Sequence, residues 1–362
     1  MIIGPTLGRY FARHFLRAIL IVFGTVFALI YTLDLVELMR RAGDAESAST
    51  ATMALLALFR TPAVAEQALP FAILFGAMAT LLNLSRRLEL VIARAAGVSA
   101  WEFLQPFVLV AFLTGVVAVT AYNPLAAYLK QRASQIEAGV FARSQKFMPG
   151  REQWLRERRP EGEVIIRADQ AVENSTTLNR VTFFNFNPDG TFRDRIEART
   201  ATLEDGRWRL EDGRIVAPGK QPERFTTLSA PSALDAALVR QQFTPPESVP
   251  LWDLPGFIAR TRKAGLDATR YQLQLDVLIA RPILLVAMVL VAASFSLRFF
   301  RFGGVAKMVL GGVVAGFMLY VATELTQDLG GSGLLGTAVA AWLPAVTGAL
   351  LGVLALLYQE DG

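Results

Sequence analysis

Long uninterrupted runs of apolar residues occupy both ends of the chain, and polar residues interleave with apolar ones only in its middle. A helix needs about 20 mostly apolar residues to cross the hydrocarbon core of a bilayer, and six stretches supply them. The first runs from Ala18 to Leu33, extended by Phe15 and Leu16. The second runs from about Gln67 to Leu84, with Pro62 and Pro70 near its entry. The third runs from Phe103 to about Tyr122, where Asn123-Pro124 marks a turn or kink. The fourth covers about Val277 to Leu297, with Arg281 close enough to one end to snorkel. The fifth covers about Met308 to Thr323, and the sixth about Thr337 to Tyr358, after the turn Gly330-Gly331-Ser332-Gly333.

Between the third and fourth stretches the period changes. Residues 130–147 read as a helix that prolongs span three. After Pro149-Gly150 come short runs rich in β-branched and aromatic residues, at 163–168, 180–186, 192–198, 201–203, 207–210, 214–216 and 225–228. Turns are expected at Asn187-Pro188-Asp189-Gly190, Glu204-Asp205-Gly206 and Glu211-Asp212-Gly213. Short strands at this spacing predict an all-β sandwich or jellyroll. A helix over 251–264 and the segment 271–275 then lead back to the membrane. The expected fold is a membrane α-helical body of six transmembrane helices with an inserted all-β, jellyroll-like domain. Residues 1–129 would hold spans one to three, 130–276 the insert with its flanking helices, and 277–362 spans four to six.

Charge sharpens that division. Charged residues make up 19% of the chain, against about 25% in ordinary soluble domains. Yet residues 130–276 hold 23 of the 36 Lys and Arg and 20 of the 31 Asp and Glu. A single soluble globule and a disordered chain are both excluded. Cys is absent and His14 is the one histidine, so no disulfide framework, thiolate nucleophile or Cys/His zinc site can be built. No phosphate loop of the form G-x-x-x-x-G-K-[ST] occurs, so energy for uphill movement would come from another chain or an ion gradient. A net charge of +5 on so apolar a sequence does not point to nucleic acid.

Basic residues set the orientation. Outside the insert, 9 of 13 fall on one side: Arg9, Arg13, Arg17, Arg86, Arg87, Arg94, Arg298, Arg301 and Lys307. Both termini are therefore expected in the cytoplasm and the insert outside, which is the periplasm if the membrane is a Gram-negative inner membrane. The first span reads as a retained anchor, because its apolar run exceeds a signal-peptide core and Asp34-Leu35-Val36-Glu37 is a poor cleavage site.

Three features could carry function. The cytoplasmic loop 85–98 is a strong helix former ending at Gly97, with Leu88, Val91, Ile92 and Ala95 at helical spacing among Arg86, Arg87, Glu89 and Arg94. It is either an interfacial helix joining two spans or a docking helix for a cytoplasmic partner. Arg40 and Arg41, and Lys130 and Arg132, flank the outward ends of spans one and three. They are either solvated flanking charge or a cationic rim for lipid phosphates. Phe23, Phe27 and Ile30 on span one, and Phe317, Met318 and Tyr320 on span five, either pack and face lipid or line a lipid cavity.

The six-span layout with its insert after span three resembles the lipopolysaccharide export permeases, the LptF/LptG family, and more closely the LptG branch. Three stretches carry the likeness: Leu35-Val-Glu-Leu-Met-Arg-Arg-Ala-Gly43, Leu88-Glu-Leu-Val-Ile-Ala-Arg-Ala-Ala-Gly97, and Gly265 followed by Arg270-Tyr-Gln-Leu273. The resemblance implies a heterodimer with an F-type permease, two copies of a cytoplasmic ATPase, a single-span periplasmic partner of the C type, and lipopolysaccharide as cargo. It implies that the loop helix around Glu89 couples to the ATPase, with Arg86, Arg87 and Arg94 beside it. It also implies that Arg40 and Arg41 meet the lipid's phosphates, with Lys130 and Arg132 in a region of further basic residues. A basic residue that some members carry earlier on span one falls at Asp34 here.

The expected function is a non-catalytic permease subunit of an ABC-type lipopolysaccharide exporter. It would extract the lipid from the outer leaflet of the inner membrane, between spans one and five, and pass it to a periplasmic jellyroll bridge. No cofactor is expected in this chain, since ATP and Mg would be bound by the partner ATPase. The competing reading is a membrane-anchored sensor or assembly scaffold with a periplasmic β domain.

Overall fold

A computed structural model describes residues 5–42, 49–141, 153–159, 162–171, 177–204, 206–232, 245–263, 267–298 and 305–360. The chain forms two compact units. One comprises Met1–Ile136, Pro250–Trp252 and Thr269–Gly362; the other comprises Glu137–Val249 and Asp253–Ala268. The helices on either side of the second unit run on unbroken from the spans.

The first unit is helical. Its helices are α1 (Pro5–Ala42), α2 (Thr50–Ala65), α3 (Leu69–Arg86), α4 (Glu89–Ala95), α5 (Ala100–Val117) and α6 (Asn123–Phe141, whose last residues pass into the second unit). Among the described residues, six spans are long and apolar enough to cross a membrane: Thr6–Arg41, Thr50–Arg86, Ala100–Glu137, Thr269–Leu297, Val309–Gly331 and Thr337–Tyr358. The first three contain 36, 37 and 38 residues. At about 1.5 Å per residue they exceed a hydrocarbon core of about 30 Å by some 25 Å. Apolar runs alone underestimate them, because Asp34, Glu37, Arg40 and Arg41 continue the helix of span one beyond its greasy stretch.

Phe11, Phe15, Ile19, Leu74, Phe103, Phe107 and Leu285 are fully buried together in the core of this unit. Glycines let the helices approach: a Cβ on Gly115 would sit 2.6 Å from the Cα of Pro282, and one on Gly352 would sit 2.6 Å from the Leu290 Cβ. The spans are unequally covered. In the most apolar window of span one only 6% of positions are buried, and in span five 17%, against 61% in spans two and four. Spans one and five are therefore the outer helices of this unit.

Two of the spans lose their regular helical pattern, each beside a proline. Pro70 has no N–H for the Glu66 carbonyl four residues back, so the Leu69 N–H bonds that carbonyl in a 3₁₀ turn at Glu66–Ala68. Pro124 likewise leaves the Thr120 carbonyl without a helical donor, and the chain passes through a π-turn at Ala118–Tyr122. Asn123-Pro124 is accordingly an irregularity inside a continuing helix and does not end it. Pro282 stands in the fourth span, next to Arg281.

Arg281 does not snorkel. Its guanidinium pairs with the Glu66 carboxylate, with side chains only 14% and 8% exposed. Asn123 Nδ2 donates to the same carboxylate at 3.2 and 3.3 Å.

The remaining helices are α7 (Leu254–Lys263), α8 (Thr269–Arg298), α9 (Val305–Gly331) and α10 (Thr337–Glu360). The expected approach 271–275 and span four are one helix, α8. Gly333, at φ +79°, closes the expected turn after α9.

Among the described residues, the second unit holds six antiparallel strands: β1 (Gln153–Arg159), β2 (Gly162–Ala171), β3 (Thr177–Phe186), β4 (Phe192–Glu204), β5 (Arg207–Val216) and β6 (Glu223–Pro231). They lie in chain order in one sheet. A flat sheet of six strands would hold its edges about 24 Å apart. Here Ser232, next to β6, donates through Oγ to the Glu157 Oε1 of β1 at 3.2 Å. The sheet therefore curls until its edges meet. Its inner face buries Val164, Ile166, Leu178, Val181, Phe183, Leu210 and Trp208. Arg180, at φ +48°, shifts the alternation, so that Leu178 and Val181 both face inward.

The insert is all-β as the sequence indicates, with three differences. Strand β1 escapes the sequence pattern because Gln153–Arg159 is largely charged. Strand β4 runs unbroken through Arg199 and Thr200. Glu211-Asp212-Gly213 is no turn: β5 passes through it, Asp212 takes φ +48° and pairs with Arg199 at 2.8 Å. The missing Cβ of Gly213 leaves room for the Phe225 ring. The turn before β4 does form. Asp189 Oδ1 accepts from the Thr191 hydroxyl at 2.6 Å and its N–H at 2.9 Å, which holds that carboxyl below its usual range.

Candidate functional site

Arg40 and Arg41 occupy the last turn of α1, and both fold back onto Glu37. Arg40 donates to Glu37 Oε2 through Nη2 at 2.7 Å and Nε at 3.0 Å, and Arg41 Nε donates to Oε1 at 2.8 Å. One carboxylate thus organises two guanidiniums and leaves one net positive charge. With the Arg40 side chain 76% exposed, the pair is held in water, where such ion pairs contribute little and exchange partners readily. The sequence signal for Glu37 was its spacing, three and four residues before the arginines. Asp34 faces the Arg60 guanidinium of α2 at 3.6 Å.

On α6, Lys130 is half-buried. Arg132 folds over Tyr128: its Nε donates to the phenol oxygen at 3.0 Å and its guanidinium lies 5.4 Å from the ring centre. Arg40 and Arg41 are organised by Glu37, and Arg132 by Tyr128, each within its own helix.

The apolar candidates differ in their surroundings. Phe23 packs edge-on against Tyr122 of span three at 5.9 Å, and Tyr320 packs against Phe71 of α3 at 4.9 Å. Phe27, 6.5 Å from Phe23, and Ile30 are half-buried, while Phe317 and Met318 are exposed. Helices α1 and α9 both pack against α3. Two greasy, open helices thus flank one buried helix, an arrangement able to hold acyl chains if a second body closes the other side.

The loop between spans two and three is shorter as a helix than its sequence suggests. Ser85 and Arg86 still belong to α3, a turn follows at Arg87 and Leu88, and α4 covers Glu89–Ala95. Leu88 takes φ +61°. Gly97, at φ +85°, ends α4, with the Val98 N–H bonded to the Ala93 carbonyl at 3.0 Å. This is the glycine-terminated stop expected of the loop. Ser99 and Glu102 then cap α5 reciprocally, at 3.2 and 3.0 Å.

The buried positions of α4 are Leu90 and Ala93, whereas Leu88 and Ile92 are 57% and 66% exposed. Arg86 and Arg87 are exposed too. The side chains of Val91 and Arg94 lie outside the described residues. Glu89 is half-buried and accepts a hydrogen bond from the Tyr10 hydroxyl of α1 at 3.2 Å. An exposed Leu–Ile pair ringed by charge, anchored to span one by Glu89, is a surface suited to docking. Among the described residues, no three His, Cys, Asp or Glu side chains gather as a metal site.

The family model for the lipopolysaccharide export system permease LptF/LptG matches residues 9–358. The chain belongs to this family. Two relatives add detail on the branch. The lipopolysaccharide export system permease protein LptG of Haemophilus influenzae is 24% identical over 369 residues, covering 96% of this chain and 94% of its own length. The LptG protein of Escherichia coli K12 is 23% identical over 363 residues, covering 95% and 94%. The LptF/LptG match includes α1 from Arg9, the α4 loop, the whole β insert and all of α10 but its last two residues. The chain is thus a membrane-spanning permease of the lipopolysaccharide transport system.

Proposed function

We propose that this chain is the LptG-type half of a heterodimeric, ABC-type lipopolysaccharide exporter in the inner membrane of a Gram-negative cell. The F-type permease supplies the second body, two copies of a cytoplasmic ATPase supply the energy, and a single-span C-type protein completes the assembly. The observation that carries this reading is a family match that spans the membrane helices and the insert alike. In this reading both termini are cytoplasmic and the β insert is periplasmic. Lipopolysaccharide enters from the outer leaflet beside the open helices α1 and α9, with Phe23, Phe27, Ile30, Phe317 and Tyr320 along the acyl path. Arg40 and Arg41 exchange Glu37 for lipid phosphate, and Lys130 and Arg132 add further positive charge.

Each buried acyl methylene is worth about 0.8 kcal/mol against water, but the bilayer offers nearly the same environment. Extraction therefore needs work, which the ATPase delivers through α4. Leu88 and Ile92 provide its apolar contact, with Arg86, Arg87, Glu89 and Arg94 around it. The lipid then passes along the curled sheet to a periplasmic jellyroll bridge.

Charge reversals separate the two parts of this reading. Arg40→Glu combined with Arg41→Glu is expected to lower photo-crosslinking of lipopolysaccharide to span one while the complex still assembles. Glu89→Lys is expected to lower recovery of the ATPase with the chain. Normal lipid crosslinking in the first variant would remove the phosphate role, and full ATPase recovery in the second would remove the docking role.

A further inference from the structure

The buried group at Glu66 reaches beyond the spans. Asn123, which donates to Glu66 through Nδ2, accepts through Oδ1 from the Leu251 N–H at 3.3 Å. The Trp252 indole Nε1 donates to the Thr120 carbonyl at 3.2 Å, the very group that Pro124 deprives of a helical donor. The Tyr122 hydroxyl donates to the Pro62 carbonyl at 3.0 Å. Pro250–Trp252 belongs to the membrane-spanning unit, yet the residues on both sides of it in the chain belong to the β unit. Leu251 and Trp252 of the returning chain are therefore bonded to the π-turn of span three and to the residue that follows it. That turn is in turn fixed to span two by Tyr122 and Asn123, and span two to span four by Glu66 and Arg281.

We infer that this group is a clasp, a set of positioning residues that passes movement of spans two, three and four into the chain re-entering the insert at Asp253. Stability does not account for it. Burying a carboxylate and a guanidinium costs several kcal/mol per ion before they pair, and apolar side chains of similar volume serve a core as well or better. What an ion pair with a shared amide provides is a single arrangement in place of many. The π-turn fits the same role, since such turns occur mostly as local insertions at functional sites. Trp252 is informative because the residue is 65% exposed within this chain. Its burial contributes little, and its specific contribution is the indole N–H. The clasp contains none of the residues assigned to lipid phosphate or to ATPase docking, so it can fail while both of those remain.

The inference rests on the transporter reading, and its test keeps the two apart. The chain has no cysteine and a half-buried Phe225 on the inner side of the sheet, so a photoreactive phenylalanine at position 225 reports lipid arriving in the insert. The full chain in its membrane complex is compared with Asn123→Ala and with the milder Trp252→Phe, which keeps an aromatic ring and removes the N–H. ATP hydrolysis is expected to stay within about twofold, while ATP-dependent crosslinking of lipopolysaccharide at position 225 falls about fivefold or more. Hydrogen exchange at the Leu251 amide should rise in Asn123→Ala. Unchanged crosslinking in both variants would overturn the clasp, as would hydrolysis and crosslinking falling in step, which marks a purely structural role. Absence of ATP-dependent crosslinking in the unaltered chain would overturn the transport reading and the clasp with it.

Discussion

Glu66→Ala destabilises the membrane-spanning unit by about 3–5 kcal/mol, the cost of stranding one partner of a buried ion pair. Arg281 has only 14% of its side chain exposed and no second carboxylate in contact among the described ion pairs. Removal of Glu66 also takes the acceptor from Asn123 Nδ2. Arg281→Ala should cost a similar amount for the mirrored reason. The double variant Glu66→Leu/Arg281→Met should recover most of the loss, because two apolar side chains strand no charge. Detergent unfolding of the purified protein, followed by circular dichroism, measures all three. A single variant losing less than about 1 kcal/mol would show that the pair is solvated, as an exposed pair would be.

Trp208→Ala is expected to cost the β insert about 3–5 kcal/mol, the usual range for emptying an aromatic site in a core. Trp208 is fully buried, and its ring meets Phe183 edge-on at 5.9 Å. Its indole N–H is buried without a hydrogen-bond partner among the described residues. Trp208→Phe should therefore cost much less than Trp208→Ala, since it keeps a ring and removes an unsatisfied donor. The readout is the proteolysis rate of the insert in the intact protein. Equal protection in Trp208→Ala and the unaltered chain would place Trp208 outside the cooperative core.

The six spans were legible because membrane helices announce themselves by length and apolarity, which are local properties. Their full extent was not, since Asp34, Glu37, Arg40 and Arg41 remain helical after the apolar run ends. The insert read as all-β from its period and turn residues, yet β1 was hidden in the charged run Gln153–Arg159. Glu211-Asp212-Gly213 imitated a turn inside a continuous strand. For the candidate site, the glycine stop of the α4 loop was legible at Gly97. Leu88 and Ile92 are apolar at helical spacing, but that spacing does not say which side of the helix the protein covers. The pairing of Glu66 with Arg281 was the least legible feature. They are 215 positions apart, and each alone looks like an interfacial charge. Only the packing of spans two and four turns them into one buried pair.

The most direct measurement is mass spectrometry of the proteins and lipids that remain with the full chain after purification in mild detergent. The account predicts a second permease, an ATPase and lipopolysaccharide in the same particle. A particle that retains neither a nucleotide-hydrolysing subunit nor the glycolipid would contradict it.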